Sequence, residues 1–307
     1  MKIPQLVERK FLFAPDQPIT APLYEIVIAQ NGVFKRARRR EMIAAARVSA
    51  FAVKIPELAV GEARVELLEK IPSRVFTEIL AHARHSTDAR NFTENLYTVY
   101  RNNESGGYFW KEVSRSRSFG STIARDDDPA YQNAILEIHT HPPGCREFSA
   151  SDNLDESGKF RLFGILVDIH TAKPSIRLRV GIYDSFWEIP VETIADESLE
   201  NITDLVEQER KMLAAICENF DDEIFNDLLS EEYRVLSGGN VGDFIGVAPY
   251  ENFETLCNLF RFGIGREPFG LQHAGSDCES CELPTPAEIK KQTEIKIKAA
   301  SRCFETT

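Results

Sequence analysis

The sequence predicts a mixed α+β protein, and three observations predict it. Residues 71–85 place apolar side chains at helical spacing, and about five runs rich in β-branched and aromatic residues follow, ending near 195. Before them, a run of apolar and β-branched residues from Leu23 to Ala29 meets Asn31-Gly32, which reads as a β-hairpin. Beyond 198 the apolar residues return to a helical period. On this reading 1–70 is a β-rich extension, 71–195 a central α+β domain, and 196–307 a mostly helical extension with an irregular tail.

Composition bounds what such a chain can do. It has 307 residues, 43% hydrophobic and 27% charged, enough for a sizeable core. The net charge of −12, from 48 acidic and 36 basic side chains, argues against phosphate-backbone binding, so no nucleic-acid partner is expected. The opening "MKIPQLVERK" has no apolar stretch of signal-peptide length. No apolar run is long enough to span a bilayer, so no membrane partner is expected. The six cysteines are too few for a disulfide scaffold in a chain this long. Free thiols and a cytoplasmic location are the expectation.

The elements follow in order. Asn31-Gly32 supplies the φ > 0 pair of a type I′ turn, with Val33 and Phe34 starting the return strand. The basic run from Lys35 to Arg40 reads as a solvated edge strand. Pro72 suits a first helical turn, and Val75, Phe76, Ile79, Leu80 and Ala83 share one helix face. His82 and His85 fall on its exposed edge. Leu96–Tyr100 and Tyr108–Val113 read as strands around a turn at 102–107. "NAILEI" (133–138), "FRLFGILVDI" and "SIRLRVGIYDSFWEIP" are further strands. His170, at the end of the second, reads as a packed residue. Leu199, Ile202, Leu205, Val206, Met212, Leu213 and Ile216 fit one helix from about 198, and Ile224, Phe225, Leu228 and Leu229 begin another.

Chemistry concentrates in "EIHTHPPGCREFSASD", Glu137 to Asp152. Imidazole nitrogens and a carboxylate oxygen are standard zinc ligands, and a catalytic zinc keeps three of them and leaves a position for water. His139 and His141 stand two apart, which on a strand puts both on one face. Pro142-Pro143-Gly144 turns the chain, and if "SASD" opens a helix, with Ser149 or Ser151 near its N-cap, Asp152 returns as a third ligand. The expected cofactor is therefore Zn2+. H-x-H barrels of the amidohydrolase kind need further histidines downstream, and only His170 and His273 follow.

His139-Thr140-His141-Pro142, then Ser149 and Asp152, match the JAMM (MPN+) metalloprotease motif, and 71–195 resembles that family. The resemblance implies a zinc hydrolase with a cytidine-deaminase-like core that cleaves peptide or isopeptide bonds after ubiquitin or ubiquitin-like proteins. "LYEIVIAQNGVFKRARR", "SDNLDESGKFRLFGILVD" and "IRLRVGIYDSFWEIP" also resemble a bacterial branch, the PRTRC-system protein A family. That branch implies a ubiquitin-like substrate, with conjugating-enzyme-like and activating-enzyme-like partners.

The resemblance also assigns roles. A Glu on the first strand after the helix serves as general base: Glu94 opens that strand, while Glu104, in "NNESGGYFW", superficially matches the E-x-G-G of many bacterial relatives. Glu94 is preferred, because "NNESGG" has turn composition and puts Glu104 at a hairpin tip. By the family pattern, zinc lowers the pKa of water toward 7, and Glu94 takes the proton and returns it to the departing lysine amine. The Ser149 hydroxyl then steadies the oxyanion, its plainer alternative being a helix cap. Two other readings share the motif: release of an amino acid or small adduct from a sulfur-carrier protein, and a non-catalytic MPN scaffold. Cys278 and Cys281 form a C-x-x-C without a following pair and read as free thiols.

Overall fold

The computed structural model describes residues 6–102 and 106–219, with side chains as far as 212. Five strands form the first sheet in chain order: β1 (Val7–Phe11), β2 (Tyr24–Ala29), β3 (Gly32–Arg38), β4 (Met42–Ala50) and β5 (Arg64–Leu67). β1 runs parallel to β2 and the rest pair antiparallel. The hairpin is present, but Ala29 pairs with Gly32, so its turn residues are Gln30 and Asn31, neither at positive φ. Asn31 serves the turn through its side chain, exchanging two hydrogen bonds with the Gly61 backbone. Gly32 is required by contact: a Cβ there would lie 2.3 Å from the Ser49 carbonyl oxygen.

The basic run does not form a solvated edge. β3 is an interior strand of its sheet, and Lys35 and Arg36 are buried. Arg36 and Lys10 both reach the fully buried Glu25, which also accepts the backbone N–H groups of Thr20 and Ala21. Lys35 pairs with Asp184 and lies 4.2 Å over the Tyr24 ring. Burying these cations is tolerable only because each has an anionic partner.

After α1 (Ser73–Ser86) come β6 (Leu96–Arg101) and β7 (Tyr108–Glu112). A separate hairpin follows, β8 (Ser114–Arg117) with β9 (Thr122–Ala124), which has no counterpart in the sequence expectation. Then come α2 (Pro129–Gln132), β10 (Leu136–Thr140), α3 (Ala150–Glu156), β11 (Lys159–Val167), β12 (Ser175–Tyr183), β13 (Ser185–Ile189), β14 (Thr203–Asp204) and α4 (Leu205–Asn219). The second sheet runs β13-β12-β11-β10-β6-β7, with β14 on the start of β12. It is larger than expected because 175–190 holds two strands, reversed at Asp184 beside Tyr183 with φ 62°. β10 and β11 are parallel neighbours, so the chain must cross over between them, and α3 lies in that crossover.

Alternation gives this sheet two unlike faces. Val99, Leu136, Ile138, Leu162, Leu178 and Val180 point to one side and share a core with the α1 residues Val75, Phe76, Ile79, Leu80 and Ala83. Met42, Ala44, Ala46 and Val65 of the first sheet belong to the same core. The register puts Glu137, His139, Arg177 and Arg179 on the other side, and all four are buried.

The helix expected from about 198 begins only at Leu205. Asp204 caps it, accepting from the Val206 and Glu207 N–H groups, while Ile202 packs into the main core. β11 ends at Val167, so His170 is exposed in the following turn and not packed. The second C-terminal helix, Glu104, His273, Cys278 and Cys281 lie outside the described residues. The fold class is mixed α+β with sheets dominant. Among the described residues, no helix is long and apolar enough to cross a membrane.

Candidate metal centre

β10 reads Leu-Glu-Ile-His-Thr, so its two-residue period sends Leu136 and Ile138 into the core and His139 to the opposite face. His141 lies one residue past the strand. Its N–H donates to the Leu166 carbonyl at 2.9 Å, which keeps it alongside β11 and returns it to the His139 face. The turn then uses Gly144 at φ +80°, whose N–H donates to Asp168 Oδ1.

α3 opens with a capping box. Ser149 Oγ accepts the Asp152 N–H at 3.1 Å, and Asp152 Oδ2 accepts the Ser149 N–H at 2.6 Å. This folds the Asp152 carboxylate back over the start of the helix, toward the histidines. Oδ1 lies 3.2 Å from His139 Nε2 and Oδ2 lies 3.3 Å from His141 Nε2, with the two Nε2 atoms 2.9 Å apart. Among the described residues these are the ones that cluster as a metal-ligand group.

The donor set fits zinc. Tetrahedral bonds of about 2.0–2.1 Å separate neighbouring ligand atoms by roughly 3.3 Å, close to the spacing here. His141 Nδ1 lies 3.0 Å from the Cys145 carbonyl oxygen. A carbonyl only accepts, so Nδ1 carries the proton and Nε2 keeps its lone pair for a metal. Burial lowers the His139 pKa. Burial acts the same way on His141, but Asp152, the Cys145 carbonyl and Glu94 outweigh it and the net shift is upward. Burial alone would raise Asp152, yet hydrogen bonds from both histidines and the Ser149 N–H hold it well below the ordinary carboxylate range.

Glu94 is buried, one residue before the Asn95 that begins the approach to β6. Asn95 donates its N–H to Thr140 Oγ1 at 2.9 Å and accepts the Thr140 N–H at 3.0 Å. This ties Glu94 to the segment between the histidines. Burial pushes its carboxyl up to about 7; Asp152 adds to the rise and His141 opposes it. At the other end of β6 the Asn102 N–H donates to the Gly107 carbonyl at 3.0 Å, closing the β6–β7 hairpin. Ser149 is the helix cap, and its hydroxyl also lies 2.8 Å from Ser151 Oγ.

The structure thus brings His139, His141 and Asp152 together, with the charges of His141 and Asp152 acting on Glu94. Sequence reading missed Asn95 and Thr140, whose hydrogen bonds cross between strands distant in sequence. It also missed Arg177 and Arg179, although "IRLRV" places two cations at alternate positions of an apolar strand, a period-two signal for a second buried face.

Scans against protein-family models and curated proteins find no match. Among solved structures, the solution structure of a protein from Desulfitobacterium hafniense aligns at a TM-score of 0.29 and 18% identity, covering 42% of this chain and 94% of that one. A likeness of that size carries no argument about fold or function.

Proposed function

We propose that this chain is a zinc-dependent isopeptidase of the JAMM type, acting on a ubiquitin-like protein or its conjugates. The observation that carries the reading is the convergence of His139 Nε2, His141 Nε2 and one Asp152 carboxylate within hydrogen-bond distance of each other, beside a buried Glu94. The short crossover from β10 through α3 to β11 supports a JAMM-like core, because it carries all three ligands. His139, His141 and Asp152 would hold the zinc, which when bound supplies a Lewis acid and lowers the pKa of water.

The chain's own groups then divide the work. A carboxyl pushed up to about 7 suits proton transfer in both directions near neutral pH, so Glu94 accepts a proton from water and delivers it to the leaving lysine amine. Ser149 Oγ accepts from the Asp152 N–H, and when Ser151 is the donor across their 2.8 Å contact the Ser149 O–H is available to donate to a developing oxyanion.

The test has two arms. Freshly purified protein should contain about one zinc per chain, and His139→Ala or Asp152→Ala should lose it. Cleavage of a lysine-linked ubiquitin-like conjugate should fall by about 100- to 10,000-fold in Glu94→Gln, with zinc content unchanged. Metal-free wild type, or an unimpaired Glu94→Gln, sinks the reading. Preferential cleavage of a carrier–cysteine fusion would move it to sulfur-carrier processing.

A further inference from the structure

Helices normally dock by burying an apolar stripe. α3 has none. It is 7 residues long, its one buried residue is Glu156, and its one large apolar side chain, Leu154, is 78% exposed. Yet it carries Asp152, whose position decides whether three ligands or two face the metal. Something other than hydrophobic burial must hold this helix to the sheet.

Arg179 of β12 does so. It is 5% exposed, on the same sheet face as His139. Its Nε donates to Glu156 Oε2 at 2.7 Å, its Nη2 lies 2.6 Å from the same oxygen, and its Nη1 donates to Asn153 Oδ1 at 2.6 Å. Glu156 and Asn153 stand three apart on α3, so one guanidinium grips a full turn of the helix. The guanidinium is itself sandwiched, 3.7 Å from the Phe148 ring centroid and 4.2 Å from that of Phe186. Two residues along the same strand face, Arg177 holds the segment before α3 through the Arg146 carbonyl at 2.9 Å and Glu147 at 3.1 Å. The chain between His141 and Asp152 is thus pinned by cations of β12.

A buried ion pair is a weak source of net stability, since desolvation offsets most of the attraction. Its directional hydrogen bonds, by contrast, fix geometry. We propose that Arg179 is a positioning residue for metal binding: it docks α3 on the sheet and so fixes Asp152 opposite His139 and His141. The proposal rests on the zinc reading of that site.

The experiment uses the full chain, with zinc affinity measured by chelator competition and Co2+ as a spectroscopic probe. Arg179→Met keeps the length and the contact with Phe148 and Phe186 but removes the grip. It should weaken zinc binding by about 10-fold, the low end of what losing a ligand's own hydrogen-bond partner costs, because Arg179 holds Asn153 and Glu156 and not Asp152 itself. It should also weaken the visible Co2+ absorption, because losing the Asp152 ligand lets water raise the coordination number. In an Asp152→Ala background, which does not keep zinc through purification but still binds added metal weakly through His139 and His141, the same change should cost nothing further, since Arg179 acts through Asp152. Unchanged affinity and spectrum, or an equal loss in both backgrounds, overturns the proposal. Should Arg179→Met fail to fold, Asn153→Ala, which removes one contact from an exposed side chain, runs the same cycle: a smaller loss present only with Asp152 supports the clamp, and no loss refutes it. Wild type that binds neither metal removes the site reading itself, and the proposal with it.

Discussion

A buried carboxylate without a hydrogen-bond partner destabilises a fold once it ionises, and burial is the largest influence on the carboxylate of Glu94, a residue whose backbone N–H is the group that bonds, to the Ser118 carbonyl at 2.9 Å. Its folded pKa of about 7 lies above the ordinary 4.5. Below the ordinary value both folded and unfolded chains hold the proton, and the group contributes nothing to pH dependence. As pH rises toward 7 the unfolded chain ionises first, so stability falls; above 7 the loss is complete. Glu94→Gln removes the titration. In metal-free protein kept in chelator, the variant should therefore melt higher than wild type at pH 8 and level with it at pH 4. Thermal unfolding followed by circular dichroism checks this, and a melting gap independent of pH counts against a raised Glu94. The same property that suits Glu94 to proton transfer makes it a local liability.

At the scale of elements, two features bear on the site. The capping box of α3 satisfies helix N–H groups and aims a metal ligand with the same hydrogen bonds. Ser149→Ala removes the acceptor for the Asp152 N–H, and loss of such a cap costs about 0.5–2 kcal/mol. Because α3 has no apolar face to compensate, the cost should appear as weaker zinc retention against a chelator, with little change in the global melt. β11 offers the contrasting case. A Cβ on Gly164 would fall 2.7 Å from Leu178 Cδ2, inside the main core. Gly164→Ala should therefore lower global stability by about 1–3 kcal/mol through overpacking, measured by denaturant titration, even though the residue touches no ligand. Both elements were partly legible in advance. The β10 and β11 runs announced themselves by β-branched content, and α3 by Ser-x-x-Asp. What could not be read was that α3 docks through ions, because its partner Arg179 lies on a strand that follows it in sequence.

For the molecule as a whole, the first sheet and the central sheet share one hydrophobic core, to which Met42, Ala44 and Ala46 contribute from β4. Lys35 meets Asp184, and the Tyr24 and Tyr183 rings lie 5.2 Å apart, so polar and aromatic contacts join the same two sheets. The two tryptophans of the chain, Trp110 on β7 and Trp187 on β13, both report on the central sheet. Truncating Met42, 2% exposed, to Ala should cost about 2–5 kcal/mol, as for other buried large-to-small changes. With a common core, that loss should move the unfolding transition seen by tryptophan fluorescence, although Met42 lies in the other sheet. A fluorescence transition left in place would mean that the sheets unfold independently.

By itself the sequence determined the fold class, the helix at 71–85, most strands of the central sheet, and the candidate ligands His139, His141 and Asp152. Those are local properties: hydrophobic period, turn chemistry, and donor types at fixed short spacings. The tertiary structure alone decided that β3 lies inside a sheet, so that Lys35 and Arg36 are buried; a basic run looks the same at an edge or in the interior, and only its partners Glu25 and Asp184 tell the two apart. It also decided that Glu94 stands against the histidine segment, through the Asn95–Thr140 hydrogen bonds, and that Arg179 reaches α3. Each of those facts depends on strand register, and register is fixed by which side chains pack across the sheet, not by neighbours along the chain.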